Sequence, residues 1–234
     1  YDRLRNGSCL VMGAAGSIGK ALSIKLAKFG IKTLYLLDNN ESGLFDVFED
    51  VRNLTKTEYI LADIRDKQKI EWVMKKYRPY TIFFCCAFKH VKILEKWPDE
   101  AKKTNIDGLK NTISSTKRNG VRRFIFVSSD KAVNPTSVMG KTKKIGENLC
   151  LTANTKKGTK FIVVRFGNVM ASRGSVVPIF DKRIEENKDL PITHEKMKRY
   201  FMGIYEAVYL IILSAIIGNK NEIFILKMGE QLLI

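Results

Sequence analysis

Apolar positions in this chain follow two alternating rhythms. Short unbroken apolar runs recur, each followed by a stretch where apolar residues return every three or four positions. Ser8–Ala14 (SCLVMGA) is the first run and reads as a buried parallel strand. Across Ser17–Phe29, the residues Ile18, Leu22, Leu26 and Phe29 share one helical face, and Gly30 stops the helix. The pattern then predicts a strand at Thr33–Leu37, a helix at Leu44–Leu54, a strand at Glu58–Leu61 and a helix at Lys67–Tyr77 ended by Pro79. A strand at Thr81–Cys86 precedes a long helix at Asp99–Asn119, with Pro98 near its start and Gly120 past its end. A strand at Arg123–Ser128, a helix at Thr142–Ala153 and a strand at Phe161–Arg165 complete the alternation. Strands apolar on both faces need cover on both faces, and helices between parallel strands provide it. The expected fold is α/β, a doubly wound parallel sheet of Rossmann-like type.

After Phe166 the alternation weakens. Gly167–Arg199 mixes loop and short elements, expected to form a small C-terminal substrate lobe over the carboxyl edge of the sheet. Residues 1–166 are the expected NAD-binding domain, and residues 167–234 the substrate lobe, interleaved with it. Ala207–Ile217 is apolar but too short to span a bilayer, so it reads as a core helix.

The 234 residues, 45% hydrophobic and 28% charged, suit one such domain. The chain opens YDRLRNGS without the apolar segment of a signal peptide, and it ends soon after Ile223, as an excised domain would. The cysteines Cys9, Cys85, Cys86 and Cys150 show no metal spacing and are expected to be free thiols in a reducing cytoplasm. His90 and His194 lack nearby ligand partners, so no metal is expected. The net charge of +17 admits a nucleic-acid partner or a field that draws in a polyanionic substrate. The second reading is preferred, because the basic residues do not interleave with aromatics on one element.

Gly13-Ala14-Ala15-Gly16-Ser17-Ile18-Gly19 has the form GxxGxxG and joins the first strand to the first helix, the context in which the motif carries weight. Gly13 permits the turn, Gly16 lets a pyrophosphate approach the backbone, and Gly19 lets helix and strand pack closely. The helix N-terminus favours phosphate. Asp38 ends the second strand where a ribose-binding carboxylate is expected, and Asn39-Asn40-Glu41 supplies no basic residue for a 2′-phosphate. NAD is therefore expected rather than NADP. Asp63 either meets the adenine or caps the next helix. The full cofactor set is Gly13, Ala15, Gly16, Ser17, Ile18, Gly19, Asp38, Asn39, Asn40, Asp63, Ile64, Ala87, Lys89, Asn105 and Lys143.

After the fifth strand comes Ser129-Asp130-Lys131: a hydroxyl, a carboxylate and an amine at the ligand-binding edge. They read as acid/base groups or, alternatively, as a helix cap beside a charge pair. With them the stretches GAAGSIGK, LLDNNESGL, ADIRD, AFKHV, KTNIDG, SSDKAVNPTSVMGKTK, VRFGNVMASRGSVVPIF and MKRYFMGIYEAV run through nearly the whole chain. In these the chain resembles the nucleotide-sugar 4,6-dehydratases of the bacterial polysaccharide-biosynthesis group, extended short-chain dehydrogenases whose typical substrate is UDP-N-acetylglucosamine. The resemblance implies that Asp130 is the acid and Lys131 the base, with Lys143 holding the nicotinamide ribose. The usual Tyr-x-x-x-Lys is here Met139-Gly140-Lys141-Thr142-Lys143. A thioether cannot shuttle a proton, which leaves that task to Ser129. This Met variant resembles the large, often membrane-anchored branch, which leaves room for a membrane domain outside the chain. The resemblance also implies substrate contacts at Lys89, His90, Asn168, Arg173, Ser175, Val176 and Arg199, a UDP-sugar as partner, and a homo-oligomer. A nucleotide-sugar 4-epimerase and a silent NAD- or sugar-sensing protein are the competing readings. The Asp130-Lys131 pair argues against the first, and Met139 favours the second.

Overall fold

A computed structural model describes residues 2–153, 158–170, 172, 175–190, 192 and 196–233; side chains at positions 2, 3 and 176 fall outside that description. A short turn α1 (Asp2–Arg5) leads into β1 (Ser8–Met12), α2 (Ser17–Phe29), β2 (Thr33–Asp38), α3 (Glu41–Val51), β3 (Thr57–Leu61), α4 (Lys67–Tyr77) and β4 (Thr81–Phe84). Then come α5 (Val91–Lys96), α6 (Pro98–Ala101), a π-helical turn at Lys102–Gly108, α7 (Leu109–Arg118), β5 (Arg123–Val127), a 3-10 turn at Asp130–Ala132, α8 (Val138–Ala153) and β6 (Lys160–Arg165). The chain finishes with β7 (Asn168–Val169), α9 (Val176–Glu185), β8 (Lys198–Met202), α10 (Ile204–Ile217), β9 (Ile223–Ile225) and β10 (Gln231–Leu233).

Seven parallel strands form one sheet in the order β3-β2-β1-β4-β5-β6-β9. The doubly wound α/β architecture expected from the apolar runs is present. One face buries Leu22, Leu26, Val47, Val208 and Ile211 from α2, α3 and α10; the other buries Ile70, Val73, Leu109 and Ile113 from α4 and α7. The strand order reverses between β1 and β4, and ligands of such sheets bind outside the carboxyl ends at that switch point. Beyond β6, β7, β8 and β10 make a second, three-stranded sheet, while α10 and β9 return to complete the large one.

Several boundaries differ from the sequence reading, for local reasons. The third helix starts at Glu41, not Leu44, because the Asn40 side chain accepts from the Gly43 N–H at 3.0 Å and caps it. The helix expected from Thr142 starts a turn earlier, at Val138, where Ser137 Oγ accepts from the Gly140 N–H at 3.1 Å. The long helix expected at Asp99–Asn119 is broken by the π-helical turn, and Val91–Lys96 is a helix that the periodicity did not reveal. Basic and aromatic residues do interleave on one element, contrary to expectation: in α4 the ammoniums of Lys69 and Lys76 lie 4.6 and 4.8 Å from the Trp72 ring centroid.

Candidate active site

A cleft of about 1000 Å³ opens at the carboxyl edge of the sheet. Its floor is the turn between β1 and α2. Gly13 takes φ +81°, and a Cβ there would lie 2.9 Å from the backbone of Cys85 and Cys86. A Cβ on Gly19 would lie 2.0 Å from the Gly13 carbonyl oxygen, so only glycine lets α2 start this close to the strand. Ala15, Gly16, Ser17 and Ile18 line the same wall. Gly16 is the N-cap of α2 and brings no side chain of its own to that helix end.

Both oxygens of Asp38 are engaged by backbone: the Ala15 N–H donates to one and the Asn40 N–H to the other, each at 2.9 Å. The carboxylate is thereby held beside the glycine turn. Asn39, Asn40, Asp63 and Ile64 continue the wall. Of the two roles open to Asp63, the cap falls to Asp66, which accepts from the Lys69 N–H at 2.9 Å. Asp63 instead accepts from the guanidinium of Arg65 at 2.6 Å, and these hydrogen bonds hold its carboxyl below the usual value. Arg65 lines the cleft and escaped the sequence reading, since ADIRD alone reads as a polar turn.

At the centre, Ala87, Phe88, Lys89 and His90 follow β4 and line the mouth. Partial burial lowers the Lys89 pKa from the ordinary lysine value. Asn105 lies behind this wall. It is 3% exposed, and its amide is taken up by the Phe88 N–H at 2.8 Å, the Phe88 carbonyl at 3.0 Å and the Thr142 hydroxyl at 3.0 Å. It fixes the loop and does not line the cleft.

On the far side stand Ser129, Lys131, Met139 and Lys143. Ser129 Oγ donates to Asp130 Oδ1 at 2.9 Å, and Lys131 Nζ reaches the same oxygen at 3.0 Å and Asn168 Oδ1 at 3.2 Å. Ser129 also accepts from the Lys131 N–H at 3.2 Å, so it caps the 3-10 turn as well as entering the charge network. Met139 is buried against Leu94 and Ala101. Lys143 Nζ donates to the Val127 carbonyl at 2.8 Å, and burial brings its pKa down to about 8. Asn168, Ser175 and Arg199 line the remaining wall; Val176 opens α9, and Arg173 lies outside the described residues.

One turn beyond Lys143, fully buried Glu147 accepts from Arg165 Nε and Nη2 at 2.6 Å each and from Ser128 Oγ at 2.7 Å. This ties α8 to the ends of β5 and β6, directly before Ser129. Nothing in the sequence pattern separated Glu147 from a surface carboxylate.

The Lys143 environment has a measurable consequence. Its folded pKa lies below the unfolded lysine value of about 10.5, so between about pH 8 and 10.5 the unfolded chain binds more protons and stability rises with pH. The stability difference between the parent and Lys143→Met, followed by urea denaturation, should climb through that window. A flat difference would mean the ammonium is not buried.

A GxxGxxG turn, a strand-end carboxylate and a buried lysine four residues after the Met139 position define the class of short-chain dehydrogenases. The chain belongs to the polysaccharide biosynthesis protein family, whose pattern matches residues 9–234. It is 39% identical over 233 residues to the probable polysaccharide biosynthesis protein EpsC of Bacillus subtilis, covering 98% of this chain and 39% of that one. It therefore spans well under half of that relative. It is 36% identical over 227 residues to the inverting UDP-N-acetylglucosamine 4,6-dehydratase of Campylobacter jejuni, covering 95% and 67% respectively. A UDP-glucose 4-epimerase of Rickettsia bellii is also 36% identical, over 93% of this chain and 65% of its own. The solved structure of Pen from Bacillus thuringiensis superposes with a TM-score of 0.91 at 33% identity, over 97% of this chain and 72% of that one. Among the described residues no helix is long and apolar enough to cross a membrane.

Proposed function

We propose that this chain removes water from a UDP-N-acetylhexosamine, with UDP-N-acetylglucosamine the preferred form, to give a 4-keto-6-deoxy sugar nucleotide for surface glycans. The observation that carries the reading is the Lys131 side-chain nitrogen held between Asp130 and Asn168 at the cleft wall. The glycine turn, the pinned Asp38 and Lys143 suit NAD, with residues 1–166 supplying most of its site and the segment after 166 the sugar-nucleotide side. NAD, when bound, supplies a hydride acceptor for C4 of the sugar and a donor for C6.

The chain's own groups carry the protons. Ser129 takes the C4 hydroxyl proton as it hands its own to the Asp130 carboxylate across their 2.9 Å contact, which makes Asp130 the acid. The ketone acidifies C5–H. Lys131 as the free amine removes that proton, and Asp130 as the acid protonates the leaving C6 hydroxyl. The C4 hydroxyl proton thus leaves with the water, and Asp130 is a carboxylate again. When C6 is reduced, Lys131 returns its proton to C5, so both side chains end as they began. We assign Lys89, His90, Ser175 and Arg199 of the cleft wall to the nucleotide diphosphate.

Mass spectrometry after incubation with NAD and UDP-N-acetylglucosamine tests this. A product lighter by one water is expected. An unchanged mass with altered stereochemistry selects the epimerase, a reading favoured by the epimerase relative. An unaltered sugar under all conditions selects the silent sensor.

Asp38 should also set cofactor choice. Its carboxylate repels a 2′-phosphate, so the parent should bind NAD more tightly than NADP, and Asp38→Ala should narrow the gap. Equal affinities in the parent, measured by calorimetry, would remove the role. The guanidinium of Arg65 is committed to Asp63 and does not reverse the sign.

A further inference from the structure

The edge of the sheet opposite the cleft carries its own pattern. Along the spatial order of strands, the entry to each is marked by a basic residue: Lys56 before β3, Lys32 before β2, Arg5 before β1, Arg78 before β4, Arg122 before β5 and Lys160 at the start of β6. Lys220 lies before β9. At about 4.8 Å per strand this row extends across roughly 29 Å. The last turns of α2, α4 and α7 add Lys28, Lys75, Lys76, Lys117 and Arg118 to the same edge. Cations at helix C-termini complement the helix dipole, which accounts for those five. It does not account for Lys32, Lys56, Arg122, Lys160 or Lys220, which lie outside the helices, whereas Arg5 ends α1 and Arg78 is the C-cap of α4. The acids near this edge are mostly engaged. Glu71 pairs with Arg118, Glu49 with Arg52 and Asp50 with Lys20, and Glu222 accepts from the Asn219 N–H. Glu58 is exposed on the edge strand β3.

We propose that this amino edge docks on an anionic phospholipid surface, with the cleft turned away toward the solution. A row of cations along the amino edge of a seven-stranded sheet makes a broad positive front, which suits a layer of headgroups. Single-stranded nucleic acid needs aromatic faces open for stacking. Trp72 has the Lys69 and Lys76 ammoniums over its ring and Tyr77 against it edge-on, and Tyr59 on β3 packs edge-on against Phe48. A base would have to displace the lysines from the indole, while those lysines add to the positive front.

Sedimentation of the protein with vesicles tests this. At about 0.1 M salt the protein should bind vesicles of phosphatidylcholine with one-third phosphatidylserine, and not phosphatidylcholine alone. Binding should collapse as salt rises several-fold. The variant Lys32→Glu/Lys56→Glu/Arg78→Glu/Arg122→Glu changes four exposed side chains and should bind at least about tenfold more weakly. A control, Lys92→Glu/Lys141→Glu/Lys182→Glu/Lys188→Glu, has the same net charge but alters other faces; it should keep most of the binding. Equal loss in both variants means net charge alone acts, and overturns the proposal. A single-stranded RNA that strips the protein from vesicles with the same fourfold dependence makes the edge a nucleic-acid site, and also overturns it. Should the Glu variant melt early, the Gln counterpart replaces it, read against the same control.

Discussion

Lys131→Ala should stop water loss while the oxidation at C4 survives. Lys131 Nζ bridges Asp130 and Asn168, and in the proposed reaction it takes the C5 proton. Without it, the group that takes the C5 proton and later returns it disappears. Dehydrated product should fall by roughly 10²–10⁴-fold, the usual weight of one general base. Solvent deuterium should no longer enter at C5, although the 4-keto sugar can still be trapped by borohydride. Asp130→Asn should slow elimination while keeping C5 exchange, because an amide cannot protonate the leaving hydroxyl but leaves the amine in place. Ser129→Ala should act earlier, on the formation of the ketone. Met139→Tyr need not help, since position 139 is packed against Leu94 and Ala101. Parent-rate turnover by Lys131→Ala would move the base elsewhere on the carboxyl edge.

Glu147→Gln should be the most destabilising conservative change near the site. The carboxylate is fully buried, and Arg165 is paired to both of its oxygens. The amide keeps the shape but leaves the guanidinium, only 13% exposed, with no counter-charge, which costs up to roughly 3–5 kcal/mol. For a domain of this size that amounts to a fall of about 6–20 °C in the melting temperature. Replacing both partners, Glu147→Leu/Arg165→Leu, should recover much of the loss, because no charge is then stranded. A single variant that melts with the parent would show that the pair contributes nothing to the fold.

The strands were legible because interior parallel strands are apolar on both faces: FIFV and FIVV leave no other reading. Asp38 and the glycine turn were legible because their spacing is local. Helix starts were read late at Asn40 and Ser137, where the capping side chain lies in a polar run that looks like loop. The π-helical turn has no local signature in KKTNIDG; Asn105, within it, is held by Phe88 and Thr142 from other elements. Glu147 and Arg165 are 18 residues apart and join only once α8 lies on β6. Arg65 was passed over because its partner Asp63 was assigned to ligand or cap. The buried contacts of Asn105 and Glu147 escaped because they join different elements, whereas the two caps and the Arg65–Asp63 pair escaped inside local polar runs.

The pairing of α10 with α2 reaches beyond the finished molecule. Leu22 and Leu26 of the first long helix share a core with Val208 and Ile211 of the last. On a ribosome adding ~5–20 residues per second, that face of the young sheet stays uncovered for on the order of ten to forty seconds. During this interval the nascent chain offers a greasy surface to its neighbours. Chaperones that hold such surfaces should therefore raise the yield of folded protein more than any change made at the cleft.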